Sequence, residues 1–496
     1  MKGRLPERFY NPISLLGVGL ALFGLAAILI LFLLSAFAKG ENPYIGIFTF
    51  LVLPGIMVFG LLLIPLGMWR EKRRIEQGRA TSLVFDFGNP RHRNAAVVFL
   101  VGTSVFLLVT TIGMYEGYHY TESVQFCGEV CHEVMAPERV AHRDSPHAKV
   151  ACVQCHIGPG AGWYVQSKIS GARQVFKTAL GTYPRPIPTP IRNLRPAQEV
   201  CEQCHWPQKF YAATQVTRDH YLGDEANTHW RISMLVKVGG AAGAPQGHTA
   251  GIHWHIDEAA RMTYVASTGS RQAFDRVTWN QGGREIVYTH GGAPLPDSTL
   301  AVARREGRER TLDCMDCHNR PSHIYKPPMT AVNEALAQGL LDARAPYVKR
   351  EVVRALSVPY ATAQGARDSI RSSLEEFYRG RGEAAPAGAV EASWALYERN
   401  MFPHMKARWD VYPDNRGHFI FPGCFRCHGS DLATADGRTI SKDCNLCHQI
   451  VAQGPAGASG DTLVTTGLTF RHPVDIGGAE TETPCFECHK GDASLY

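Results

Sequence analysis

The stretch GCFRCHGSDLATADGRTISKDCNLCHQ, residues 423–449, holds two cysteine pairs, Cys424/Cys427 and Cys444/Cys447. Each pair is spaced by two residues and followed at once by a histidine, His428 or His448. Outward from it the same pattern recurs at Cys152/Cys155, Cys201/Cys204, Cys314/Cys317 and Cys485/Cys488, followed by His156, His205, His318 and His489. A seventh site, Cys127-Gly-Glu-Val-Cys131-His132, has three residues between its cysteines. All fourteen cysteines are consumed and none is left over. C-x-x-C-H is the signature of covalent haem attachment, in which two thiols bond the porphyrin and the adjacent histidine ligates iron. A zinc ribbon would not demand a histidine after every second cysteine, and a disulfide framework would need none. The expectation is seven haem c groups with seven proximal histidines. The site at Cys127 is included because both thiols and the histidine are present.

Sixth ligands must come from elsewhere. Apart from the proximal set, His92 and the membrane-edge His119, twelve histidines remain. Position selects among them: His147 lies five residues before Cys152, His418 six before Cys424, and His323 five after His318. His472 and His404 flank the C-terminal motifs. His253 and His255 share 252–256; read as a strand, they face the same way and either one could ligate, with His253 preferred. Met135, three residues after His132, is a sulfur candidate for the first iron.

Three apolar runs, at about 13–38, 44–69 and 95–117, exceed the roughly 20 residues needed to cross a bilayer. The first is too long for the core of a cleaved signal peptide and reads as an anchor. Arg70, Lys72, Arg73, Arg74, Arg79, Arg91 and Arg93 lie between the second and third runs, against Lys39 alone before the second. Positive loops stay in the cytoplasm, so the N-terminus is expected inside and everything after 118 outside. Haem attachment on the outer face of the bacterial inner membrane agrees. The net charge of +6 is concentrated near the membrane, since residues 118–496 hold 40 Lys and Arg against 39 Asp and Glu. Haem propionates would make that part acidic, which excludes nucleic acid as a natural partner.

The expected fold is a membrane protein with three transmembrane helices and a haem-rich, mostly α-helical and irregular multihaem domain with a small β insertion. Residues 1–117 form the anchor, 118–230 carry haems 1–3, 231–300 the β insertion, 301–328 haem 4, 329–401 a helical segment and 402–496 haems 5–7. Strands are expected at 232–238, 262–267 and 285–289, between turn signals such as Gly239-Gly240 and Gln281-Gly282-Gly283. In 329–401, Leu, Val and Ala recur at helical spacing, broken by a linker at 384–388.

Residues 126–138 (FCGEVCHEVMAPE), 152–176 (CVQCHIGPGAGWYVQSKISGARQVF) and 185–206 (RPIPTPIRNLRPAQEVCEQCHW) resemble the NapC/NirT family of membrane-anchored quinol dehydrogenases. The three-crossing, seven-haem plan is similar to the heptahaem inner-membrane cytochromes of metal-respiring bacteria. The resemblance implies oxidation of menaquinol or ubiquinol at the outer membrane surface, followed by electron transfer along the haems to a periplasmic cytochrome or reductase. It also implies a quinol-site lysine after the second motif, here Lys168, with Arg173 and Gln174 beyond it. The chain departs from the small family members in its crossings, its haem number and the spacing of its first motif. Read by itself, Lys168 is a lysine that reaches to lipid headgroups from an amphipathic helix at 162–180. Two other functions fit the sequence: an electron-wire subunit of a larger respiratory complex, with quinol bound on another chain, and a multihaem terminal reductase.

Overall fold

The structure is a computed structural model, and it describes residues 7–37, 53–78, 88, 90–130, 132–191, 194–206, 210, 212–239, 251–257, 260–429 and 431–496. The chain divides into two compact units, one of residues 1–123 and 157–173, the other of 124–156 and 174–496.

The first unit is built on α1 (Pro12–Phe37), α2 (Leu53–Glu76) and α3 (Pro90–Glu122). Asn11 starts α1 by accepting the Ser14 backbone N–H at 2.9 Å, and Pro12 fills the first helical position, where its missing N–H has no cost. The α1 and α2 backbones approach closely through glycine. A Cβ on Gly17 would lie 2.5 Å from the Gly60 carbonyl oxygen, and one on Gly60 would lie 2.6 Å from the Gly17 oxygen. The Ser14 hydroxyl donates to the Ile64 carbonyl at 3.0 Å. Small residues and an interhelical hydrogen bond are what hold helices together where lipid removes the hydrophobic drive. Two described helical stretches, Pro12–Leu31 and Leu53–Glu76, are long and apolar enough to cross a membrane. The first nine residues of the second expected run, 44–52, lie outside the described residues. The third expected run falls inside the continuous 33-residue α3.

The second unit contains α4 (His132–Arg143), most of its β structure in two sheets, and a helical core. Residues Ala161–Ala179 form α5, whose first part, to Arg173, belongs to the first unit. The strands are β1 (Thr214–Tyr221), β2 (His229–Val236), β3 (Thr263–Ala266), β4 (Phe274–Gln281), β5 (Arg284–His290), β6 (Glu309–Thr311), β7 (Leu432–Ala433) and β8 (His448–Pro455). One sheet runs β1-β2-β8 and the other β6-β3-β4-β5-β7. The expectation of a small β insertion at 231–300 is therefore corrected in its bounds. The first sheet begins at Thr214, and each sheet takes its last strand from the C-terminal motif region, through β2–β8 and β5–β7 pairing. Edge strands left open by a local hairpin are covered by distant chain. Residues 252–256 are also not a strand: Gly251–Ile256 is a 3₁₀-helix entered through Gly251 at φ +63°.

The helical core comprises α6 (Pro328–Ala337), α7 (Val348–Ser357), α8 (Ala363–Gly380) and α9 (Ala389–Asn400), with Val332, Val352, Ile370 and Leu374 fully buried. Lys349 is buried with them. Its Nζ donates to the Met329 carbonyl and to Asn333 Oδ1, both at 2.7 Å, and desolvation pushes its pKa well below the ordinary lysine value.

Candidate functional site

Most C-x-x-C-H sites after the first open single helical turns, as at Cys152–His156, Cys314–Cys317 and Cys485–Cys488, which set both thiols and the adjacent histidine close together; Cys201 instead ends the turn Ala197–Cys201. At Cys314 the turn is fixed by a capping box between Asp313 and Asp316. The first site differs in form as it does in spacing. Phe126–Val130 is a π-helical turn, a wider turn that takes up an extra residue. Cys131 and the side chain of His132 lie outside the description. None of the thirteen described cysteines forms a disulfide. Among the described residues no cluster of three or more His, Cys, Asp or Glu is placed to hold a bare metal ion.

What the fold does bring together is pairs of imidazoles. His205 stands 5.9 Å from His147 between ring centres, and His156 stands 6.2 Å from His323. His318 is 6.4 Å from His253, and His428 is 6.0 Å from His255. His448 and His489 are each 6.1 Å from a partner, His418 and His472 respectively. Two imidazoles on one iron, with bonds of about 2 Å and roughly an ångström from nitrogen to ring centre, put their centres roughly 6 Å apart. Each of the six described proximal histidines thus faces a second imidazole at the spacing of a two-histidine haem.

Hydrogen bonds agree with that spacing. Carbonyl oxygens of Val238, Ile252, Ser441 and Val474 hold Nδ1 of His253, His255, His428 and His472 at 2.6 to 2.8 Å, which leaves Nε2 for a metal. Nδ1 of His418, His448 and His489 is buried without a partner. Burial pushes His156, His255, His318, His323, His418, His448 and His489 below the ordinary imidazole pKa, keeping them in the neutral form that ligation requires. His142 also lies 6.3 Å from His323, but its Nε2 is engaged by the Val150 carbonyl at 2.9 Å. The residues present fit haem.

Neighbour in sequence is not neighbour in space. His323, beside the fourth motif, meets His156 of the second. His418, beside the fifth, meets His448 of the sixth, and His147, beside the second, meets His205 of the third. His255, passed over in favour of His253, has its own partner. A 3₁₀-helix advances about 120° per residue, so residues two apart point to different sides. Met135 is half-buried on α4. His404 is exposed in the 3₁₀ turn Pro403–Met405 and belongs to none of the six pairs.

The thiols line up in sequence order. The Cys152 and Cys127 thiols share a hydrogen bond, as do those of Cys201 and Cys314. Cys155 lies within electrostatic reach of Cys201 and Cys204, Cys317 of Cys424, Cys447 of Cys424, and Cys485 of Cys444.

In the first unit Lys168 lies on α5 with its Nζ 3.1 Å from Glu122 Oε1 and 4.7 Å from the centre of the Tyr164 ring. Glu122, on the last turn of α3, went unnoticed in the sequence. Its carboxylate is the more sheltered partner, 14% exposed against 38%. Arg173 is exposed and sits five residues on, about 140° around the helix from Lys168. Gln174 is exposed as well.

Residues 89–187 match the NapC/NirT cytochrome c family, N-terminal region. The cytochrome c-type protein ImcH of Geobacter sulfurreducens is 40% identical over 98% of this chain and 96% of its own length. The cytochrome c nitrite reductase subunit NrfH of Nitratidesulfovibrio vulgaris is 28% identical over 29% of this chain and 91% of its own. No solved structure matches. With a full-length relative, matching N-terminal region and haem motifs throughout, the chain belongs to the NapC/NirT family of membrane-anchored multihaem c-type cytochromes.

Proposed function

We propose that this chain is a heptahaem quinol dehydrogenase of the bacterial inner membrane, with three crossings and its haem domain on the periplasmic side. The observation that carries the reading is the set of six imidazole pairs. Six irons closed on both faces suit electron passage and leave no open position at those six centres among the described residues, which disfavours a terminal reductase working at any of them. The haems, when bound, supply one-electron redox steps and a path from the Cys127 motif to the Cys485 motif. Quinol oxidation gives a quinone, two electrons and two protons. The Lys168 ammonium donates a hydrogen bond to a quinol oxygen and stabilises the anion that develops as its proton leaves. Glu122, ion-paired to Lys168, accepts that proton and returns it to the outer side. Arg173 and Gln174 are further contacts for the ring. The electrons leave to a periplasmic acceptor.

The test is stopped-flow reduction by a menaquinol analogue. Lys168→Ala is expected to slow haem reduction tens to hundreds-fold, about 2–4 kcal/mol for removal of one charge-stabilising donor. Reduction by dithionite and haem content should stay as in the parent protein. An unchanged quinol rate would move the site to another chain and favour the wire subunit.

A further inference from the structure

The six pairs are not held alike. Among the described pair members, His323 alone has its Nδ1 on a carboxylate: Glu138 Oε2 stands 3.1 Å away and the Glu138 carbonyl oxygen 3.0 Å. The other Nδ1 contacts found are to neutral carbonyl oxygens, including Pro321 for His147 at 3.3 Å. Glu138 is itself held. Arg320 Nη2 lies 3.4 and 3.5 Å from its two carboxylate oxygens, and Arg320 Nε donates to the His323 carbonyl. The Arg320 guanidinium is pinned between Tyr325 and Tyr412, 4.9 and 4.4 Å from the ring centres. Arg320 is 8% exposed and Glu138 19%, so water screens the pair poorly.

We infer that Glu138 is a positioning residue that lowers the potential of the second haem through His323, with Arg320 as its counterweight. The inference rests on the reading that His323 and His156 ligate one iron. A carboxylate on the far N–H of a ligating imidazole fixes its orientation and raises its basicity. The more basic ligand favours ferric over ferrous iron, and a nearby anion acts in the same sense. Other things equal, the second centre is the hardest of the six to reduce. It stands between the first motif and the rest of the series, so electrons crossing it in either direction meet an uphill step. Arg320 opposes the effect: it draws charge from the carboxylate and places a cation beside the same centre.

Spectroelectrochemical titration of the fully loaded protein tests this. Glu138→Gln is expected to raise one midpoint potential, with the other six unmoved. A tenfold change in the ferric-to-ferrous preference, the lower end of what such partners contribute, is about 59 mV for one electron. Arg320→Gln is expected to move the same centre downward, whereas mere disruption would shift both variants the same way. Glu138→Asp, which keeps the charge, should recover most of the parent value. Loaded Glu138→Gln protein with no potential moved would overturn the inference. If that variant loses its haem, Arg320→Gln decides, and an unmoved or raised potential overturns it. His323→Ala separates the two levels. A new high-spin signal upholds the ligation and leaves Glu138 to the titration, and its absence sinks the ligation reading itself.

Discussion

The helices from Pro328 to Asn400 bury Val332, Val352, Ile370 and Leu374 completely, whereas between 453 and 496 no apolar side chain is buried and Leu463, Val474 and Leu495 are 61, 51 and 46% exposed. Both stretches lie in the same unit. The first closes around its own side chains in the usual way, with interdigitated apolar residues excluding water. The second spends its sequence on a haem motif, turns and loops, and its apolar residues stand open. Bound haem would cover apolar residues of this kind, and the order of this stretch is expected to depend on it.

Blocking haem attachment should break this comparison most visibly. In haem-free protein, limited proteolysis is expected to cut 453–496 rapidly while 328–400 resists. Equal protection of both would show that the C-terminal stretch folds by itself. The next effect is confined to single centres. His253→Ala and His255→Ala should each convert a different haem to high spin in electron paramagnetic resonance, and the double variant should convert two. If both single variants perturbed the same centre, the two-sided reading of the 3₁₀ turn would fail.

The smallest effect belongs to the helical region. His220, on β1, is half-buried; its Nδ1 lies 3.4 Å from Asn333 Nδ2, and desolvation, aided by Lys349, holds its pKa at about 4. A histidine with a lowered pKa in the folded state stays neutral there, while the unfolded chain takes up a proton below about 6.5. Its contribution is therefore complete above pH 6.5 and is lost as pH falls toward 4, on the order of 3 kcal/mol in all. His220→Gln should flatten the fall in thermal stability between those values. A parent-like slope in that variant would assign the acid sensitivity elsewhere.

The haem motifs were legible because their chemistry is local: two thiols and an imidazole within five residues need no knowledge of the fold. The helices from Pro328 onward and the strands at His229–Val236, Thr263–Ala266 and Arg284–His290 were legible from periodicity. The pairing of distal histidines was not. A ligand must reach the opposite face of a porphyrin from its proximal histidine, and the fold sets His147, His323 and His418 opposite histidines of motifs other than the ones they neighbour in sequence. His255 was lost to a misread element, and the signal available was Gly251 before a short His-Trp-His run. Glu122 was hidden because an acidic residue at a helix end is ordinary. β7 and β8 were missed because strands that pair across some two hundred residues leave no local signature.

The turn at Gly251–Ile256 also bears on how the molecule is made. Motifs at Cys314 and Cys424 lie 110 residues apart, yet their histidines face two residues of one hexapeptide that precedes both. In the orientation proposed above, residues 118–496 would cross the membrane in sequence order, with this hexapeptide ahead of both motifs. A haem attached at either motif would then meet a distal imidazole already synthesised. On the proposed ligation and topology, translocation would order the maturation of these two centres in time. A motif moved upstream of residue 251 would have to wait for its ligand, with its iron open to whatever the periplasm offers.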